Sequence, residues 1–280
     1  MSTPVVHQLR CLGYSGSSVL NLLLDSIEDF RGLGEIDRLF NRDPTRPCIL
    51  CWPNECKAYG RIRPDRFYLG CARVYPGTRF LVDSSKRPEF YEARQSGEPR
   101  LHYRSILLFK TPHAYLYSWT GHMPKDKHPD EVWKLWADFH AAQIGKADVV
   151  VWYRNLARDP ERELQRILGH APRFRRERWW DTDTHVIGGN TAVMSQKNRR
   201  VEAESRTFEA ERQENSGRRN KYRHRRHAIF VDENWRRDEP FKALMDDYYR
   251  NRGAEIDTTV ARLGMSVEWL REDLWGNFGF

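Results

Sequence analysis

The apolar positions of this chain fall into short runs separated by long polar stretches. Val5 to Leu12 reads as a strand, a Gly/Ser turn follows, and VLNLLLDSI then has the apolar density of a buried helix. Arg79 to Val82 and Ser105 to Phe109 predict two further strands. A fourth is predicted at Ala147 to Tyr153, where ADVVVWY has the unbroken apolar character of a strand buried on both faces. Each is followed by a predicted helix, near Pro88 to Ser96, Ala114 to Trp119 and Pro160 to Leu168. Strands alternating with helices predict an α/β fold: three α/β/α layers around a central, mostly parallel sheet, with ligands at the carboxyl ends of its strands.

Other segments break that rhythm. Residues 43–60, DPTRPCILCWPNECKAYG, carry three Pro and three Cys and predict an irregular excursion. Asp130 to Lys146 has amphipathic helical spacing, and Trp133, Trp136 and Phe139 on it read as core rather than as a sugar platform. Residues 195–227 are almost wholly polar and read as an exposed helix or a mobile lid, after which helical patterning returns from Pro240. A length of 280 residues without internal repeats fits a single domain over 1–280.

Composition narrows the class. Hydrophobic residues make up 39% and charged residues 31%, with 13 Phe, 12 Tyr and 10 Trp, too aromatic for a mainly disordered chain. No apolar run approaches the roughly 20 residues a membrane span needs, so the expected location is cytoplasmic. Five cysteines, an odd number, suit reduced thiols. Cys48-x-x-Cys51 with Cys56, and Cys71 beyond, could form a zinc knuckle. They match the usual two-plus-two pattern poorly, and the expectation is buried thiols with no metal.

The net charge of +8 favours an anionic ligand, an acidic acceptor or nucleic acid, but much of the excess lies within Lys197 to Arg226. RRNKYRHRRH at 218–227, with Tyr222 interleaved, is read as a segment that closes over a donor or steers an anionic acceptor, ahead of a nucleic-acid contact.

The first chemical motif is Gly13-Tyr14-Ser15-Gly16-Ser17-Ser18, between a strand and a helix, where backbone N–H groups and hydroxyls can wrap a phosphate. A nucleotide-hydrolysing loop, GxxxxGK[ST], would place Lys after Gly16, and Ser17 stands there instead. The Ser15-Gly16-Ser17-Ser18 tetrad resembles the 5′-phosphosulfate loop of bacterial-type sulfotransferases that use 3′-phosphoadenosine 5′-phosphosulfate. Three downstream segments also resemble that family: FLVDSSKRPEF, SILLFKTPHAYLYSW and VVWYRNLARDPERELQRILG, followed by HVIGGN at His185 to Asn190. The likeness spans roughly residues 5 to 190.

The resemblance implies a P-loop-like donor site of Tyr14, Ser15, Gly16, Ser17 and Ser18, with Lys110 and Ser118 at the 3′-phosphate, Tyr153 by the adenine, and Asn190 from the Gly-Asn element. Lys86 would reach the sulfonate. Glu35, in RGLGEIDRL, resembles the Gly-Glu element that supplies a general base; His7, His102 and His113 are alternatives, each read as surface or structural. The implied reaction moves a sulfonate to a hydroxyl of an unidentified acceptor, a carbohydrate or small molecule favoured, with no metal required. Two departures stand out. Tyr14 occupies the place of a usual Lys or Arg, for which Arg10 is a substitute by proximity only, and no arginine follows Gly-Asn, leaving Lys197, Arg199 or Arg200. The competing readings are a P-loop-type kinase and a nucleic-acid-binding protein acting through 197–226.

Overall fold

The computed structural model describes residues 3–41, 48, 50–51, 56–60, 62–120, 128–173, 179–189, 229 and 233–276. Asn190, the arginine and lysine substitutes beyond it, and the 195–227 segment lie outside the described residues.

Strand β1 (Val5–Arg10) leads through the Gly/Ser turn into α1 (Ser17–Asp25), and the chain returns as β2 (Phe30–Gly34) and the one-turn α2 (Asp37–Phe40). After the excursion come α3 (Phe67–Val74), β3 (Phe80–Asp83), α4 (Pro88–Gly97), β4 (His102–Phe109), α5 (Pro112–Thr120) and α6 (Pro129–Gln143). Then follow β5 (Val149–Trp152), α7 (Tyr153–Arg158) and α8 (Pro160–Leu168). A long α9 (Glu239–Arg262), bent at Arg252, and α10 (Val267–Trp275) end the described fold.

The five strands are hydrogen-bonded in the order β2-β3-β1-β4-β5, and every pairing is parallel. Side chains alternate across this sheet with period two. Leu9, Val82, Ile106, Leu108 and Val151 enter the core under α1 and α8, with Leu20, Leu22, Leu164 and Ile167. Leu107 and Phe109 face the other way, against Trp133, Trp136, Met245, Tyr249 and Leu270 of α6, α9 and α10. Val6 and Leu81 meet a third cluster with Leu33, Phe67, Tyr68 and Cys71. The result is the expected three-layer α/β/α arrangement. The tryptophans of α6 are core, as their spacing predicts.

Local signals explain the helix ends. Asp159 accepts from Arg162 N (3.1 Å) at the start of α8, Pro160 fills its first turn, and Gly169 (φ 80°) closes it in the left-handed region. Ser266 caps α10 through Trp269 N at 3.0 Å. No helix among the described residues is long and apolar enough to cross a membrane.

Glu35 stands on a loop, as the sequence predicts, but that loop directly follows β2, a strand the apolar pattern does not announce. FRGLG is short and carries two glycines, which weaken strand propensity. Packing requires both. A Cβ on Gly32 would lie 2.5 Å from Asn21 Nδ2 of α1, and one on Gly34 (φ 82°) would lie 2.2 Å from the Ile187 carbonyl oxygen.

Candidate active site

Parallel sheets present binding residues where the strand order reverses, and here that point is β1, with β3 on one side and β4 on the other. The Gly/Ser turn follows β1, Lys86 follows β3, Lys110 follows β4, Tyr153 follows β5 and Glu35 follows β2. All five strands therefore deliver a singled-out residue to one end of the sheet. Ser118 joins them from the second turn of α5.

The turn itself is tightly made. Gly16 (φ 97°) sits immediately before α1, and its carbonyl accepts from Val19 N (3.0 Å) and Leu20 N (3.1 Å). A Cβ there would lie 2.2 Å from two atoms of the Tyr153 ring, so the backbone at Gly16 rests on that ring. Tyr14 takes a positive φ of 65° and sets its ring edge-on to Trp119, 6.0 Å between centroids. Ser15, Ser17 and Ser18 are buried.

Beyond the turn, the Lys110 ammonium lies 5.2 Å from the centre of the Tyr153 ring and 3.3 Å from Ser118 Oγ, whose hydroxyl also donates to Ala114 O (2.9 Å). The Trp136 indole donates to the Lys110 carbonyl at 3.1 Å and fixes the backbone from which the lysine extends. Lys110, Ser118, Tyr153 and Gly16 thus form one contiguous group.

On the β3 side the Lys86 ammonium is paired with the Glu35 carboxylate, and Arg38 Nε reaches the other Glu35 oxygen at 3.3 Å. Lys86 has a φ of 66°, an uncommon conformation for a side-chain-bearing residue, which surrounding bonds must hold. They do so through Tyr91, whose hydroxyl accepts from Lys86 N (2.9 Å) and lies 3.0 Å from Leu9 O and 3.2 Å from Asp83 O. Asp83 completes the support: Ser85 N (2.8 Å) and the Ser85 hydroxyl (2.5 Å) donate to one carboxyl oxygen, and the Tyr68 hydroxyl (2.6 Å) to the other. Burial outweighs these donors and pushes the Asp83 carboxyl up to about 7. The buried Cys11 thiol joins the two halves. Burial pushes it up to about 11, against the Lys86 charge and a hydrogen bond with Ser17, with Glu35 acting upward.

Asp83, Ser85, Tyr68 and Tyr91 escaped the sequence reading. One signal for them was present, because Asp-x-Ser after a strand is the pattern of a side chain that bonds the backbone two residues on.

The alternative bases are placed elsewhere. His7 lies within β1 against Phe30 and Phe80, and burial lowers it to about 4. His102 is exposed and opens β4, at the opposite end of the sheet. His113 is buried among Thr111 (3.1 Å), Tyr249 (3.0 Å) and Asp273 (3.0 Å). Asp273 is also bound by Arg154 and, at 3.0 Å, by Arg236, and this network ties α5, α7, α9 and α10 together behind Tyr153. Arg10 does not stand in for a basic residue at Tyr14. Its guanidinium is directed to Ser105 Oγ (2.9 Å) and Gln143 Oε1 (2.7 Å), because it points down the face of the sheet covered by α6.

No family model matches this chain, and no curated protein matches it. In structure it is similar to a sulfotransferase domain from the olefin synthase of Synechococcus PCC 7002, at 17% identity and a TM-score of 0.42, covering 60% of this chain and 74% of that one. It is also similar to a sulfotransferase domain from the curacin biosynthetic pathway, at 13% identity and a TM-score of 0.41, covering 60% and 73%.

Proposed function

We propose that this protein transfers a sulfonate group from 3′-phosphoadenosine 5′-phosphosulfate to the hydroxyl of an acceptor, with a carbohydrate or small molecule favoured. The observation that carries this reading is the convergence of a phosphate-wrapping turn and two lysines at the carboxyl ends of three adjacent strands, β3, β1 and β4. One lysine has a hydroxyl partner suited to a second phosphate, and the other is beside a carboxylate suited to take a proton. The absence of Lys after Gly16 weighs against a nucleoside triphosphate with magnesium.

In this reading the N–H groups and hydroxyls of Ser15 to Ser18 bind the 5′-phosphosulfate, aided by the N-terminus of α1. Lys110 and Ser118 bind the 3′-phosphate, and Tyr153 borders the adenine. The acceptor oxygen attacks sulfur in line with the departing phosphate. A new S–O bond forms, the S–O bond to the 5′-phosphate breaks with its electron pair, and the acceptor proton passes to Glu35. Lys86 stabilises the negative charge that grows on the departing oxygen. Tyr14 contributes main-chain contacts in place of a cation.

Thermal melting with 3′-phosphoadenosine 5′-phosphate, compared with ATP and magnesium, tests this reading. A selective ligand at about 100 times its Kd stabilises the folded state by about 2.7 kcal/mol, and the 3′-phosphorylated nucleotide is expected to do so. Stabilisation by ATP and magnesium alone would instead favour a kinase.

A further inference from the structure

We propose that Cys48, Cys51, Cys56 and His185 form a tetrahedral site for one structural zinc ion. The sequence offers Cys71 as the further member of a zinc knuckle and predicts buried thiols with no metal. The fold supplies the fourth ligand from more than a hundred residues downstream, while Cys71, although it belongs to the same core cluster as Cys48 and Cys56, is not one of the four grouped ligands.

Three sulfur atoms surround one nitrogen. Cys48 Sγ, Cys51 Sγ and Cys56 Sγ lie 3.4, 3.3 and 3.4 Å from His185 Nδ1, and all four ligand atoms lie within 4.8 Å of one another. Hydrogen bonding does not account for this. An imidazole nitrogen offers a single in-plane lone pair or a single N–H, so it can satisfy one thiol and not three at equal range. Four corners about a common centre do account for it. Bonds of about 2.3 Å to sulfur and about 2.0–2.1 Å to nitrogen at tetrahedral angles give S–N edges of about 3.5 Å.

The donor set selects the metal. Three thiolates and an imidazole in tetrahedral array suit zinc, whereas calcium and magnesium take oxygen ligands. Binding would displace the three thiol protons and leave the centre with a single net negative charge. All four positions are taken by protein, which marks a closed structural site rather than one that holds a reacting water.

The ring is aimed from both sides of its own backbone. The Tyr59 hydroxyl donates to the His185 carbonyl, and His185 N donates to the Tyr75 hydroxyl at 2.8 Å. Two residues on, Ile187 forms an antiparallel bridge with Cys48 and a parallel bridge with Gly34, and its carbonyl accepts from Glu35 N at 2.6 Å. Zinc would therefore clamp Cys48, Cys51 and Cys56 to the 185–187 segment against the end of β2, next to Glu35. The site does not depend on the transferase reading.

The test is elemental analysis of the tag-free full chain, with cobalt(II) substitution as a second measurement. The expected result is about one zinc per chain and a cobalt spectrum with the intense visible bands of a tetrahedral site and thiolate charge transfer. Cys51→Ser and His185→Ala should each lose zinc to a chelator more than about tenfold more readily, while Cys71→Ala retains it. Should those variants fail to fold, the zinc content and cobalt spectrum of the unaltered protein still decide. Less than about 0.1 zinc per chain after incubation with zinc, an octahedral cobalt spectrum, or a disulfide within the cluster in anaerobically prepared protein would each overturn the proposal.

Discussion

Lys86 and Glu35 neutralise each other across the ends of β3 and β2, with 19% and 5% of their side chains exposed. In the proposed reaction the two have separate duties, one toward the leaving group and one toward the acceptor. In that reaction donor binding would draw Lys86 from Glu35 toward the sulfonate and leave the carboxylate, still beside Arg38, facing the acceptor as the base. Lys86→Ala and Glu35→Gln are each expected to lower kcat by about 10²-fold or more, the usual scale for losing one such group. Steady-state kinetics at saturating donor checks this, with circular dichroism to confirm folding. Wild-type-like turnover in either variant would remove that residue from the mechanism.

Lys110 and Ser118 should set the preference for a 3′-phosphate. A hydrogen bond to a charged group contributes about 1.5–3 kcal/mol. Lys110→Ala is therefore expected to weaken 3′-phosphoadenosine 5′-phosphate by about 10- to 100-fold, with adenosine 5′-phosphate nearly unaffected. Calorimetric titration of both nucleotides gives the ratio, and equal losses for the two would contradict the assignment.

Gly16→Ala meets two penalties at once, the Tyr153 ring 2.2 Å from the new Cβ and a φ of 97°. Combining it with Tyr153→Ala should relieve the first and leave the second. The double variant is expected to be more stable than the sum of the two single changes predicts, by about 0.5–3 kcal/mol in a denaturant cycle. Strict additivity would mean that the loop and the ring do not touch.

The raised carboxyl of Asp83 makes stability depend on pH in a defined direction. Its folded value is about 7, against about 4 in an unfolded chain. Below about pH 4 both states hold the proton and the group has no effect. Between the two values only the folded state holds it, so stability falls by about 1.4 kcal/mol per pH unit as pH rises, and levels off above 7. Asp83→Asn is expected to flatten that part of the Tm-against-pH curve; an unchanged slope would show that Asp83 is ionised in the native protein.

Asp273 is the shared anchor of Arg154, Arg236 and His113. Removing one partner of a buried charge network typically costs about 3–5 kcal/mol, so Asp273→Ala should lower the urea midpoint substantially. A shift within about 0.5 kcal/mol, the range of ordinary surface changes, would mean that the network carries little of the stability.

Much of this architecture could be read from residue order. Four strands and their helices stand out because they leave unbroken apolar runs; ILLF is buried on both faces as such a run predicts, whereas VVVW is an edge strand with Val151 buried and its neighbours half-buried. Lys110 and Ser118 were singled out by the family resemblance, and a separation of eight residues across a strand-to-helix turn is a short, local relation that the fold closes to 3.3 Å. What escaped was non-local. FRGLG is a strand only because α1 and Ile187 press against its glycines. His185 could not be matched to Cys48 from spacing, since the loops between them carry no pairing code. Tyr91 was equally hidden: its hydroxyl serves three backbone positions that meet only after the sheet forms.

The Ile187 bridge to Gly34 joins segments more than 150 residues apart. A nascent chain leaving the ribosome can pair β1, β3 and β4 well before residue 187 emerges, but it cannot yet seat the backbone of Glu35. If Glu35 serves as the proposed base, transfer activity should therefore arrive in a late step, after the bulk of the sheet has become protease-resistant, because a distant closure is slow to search for.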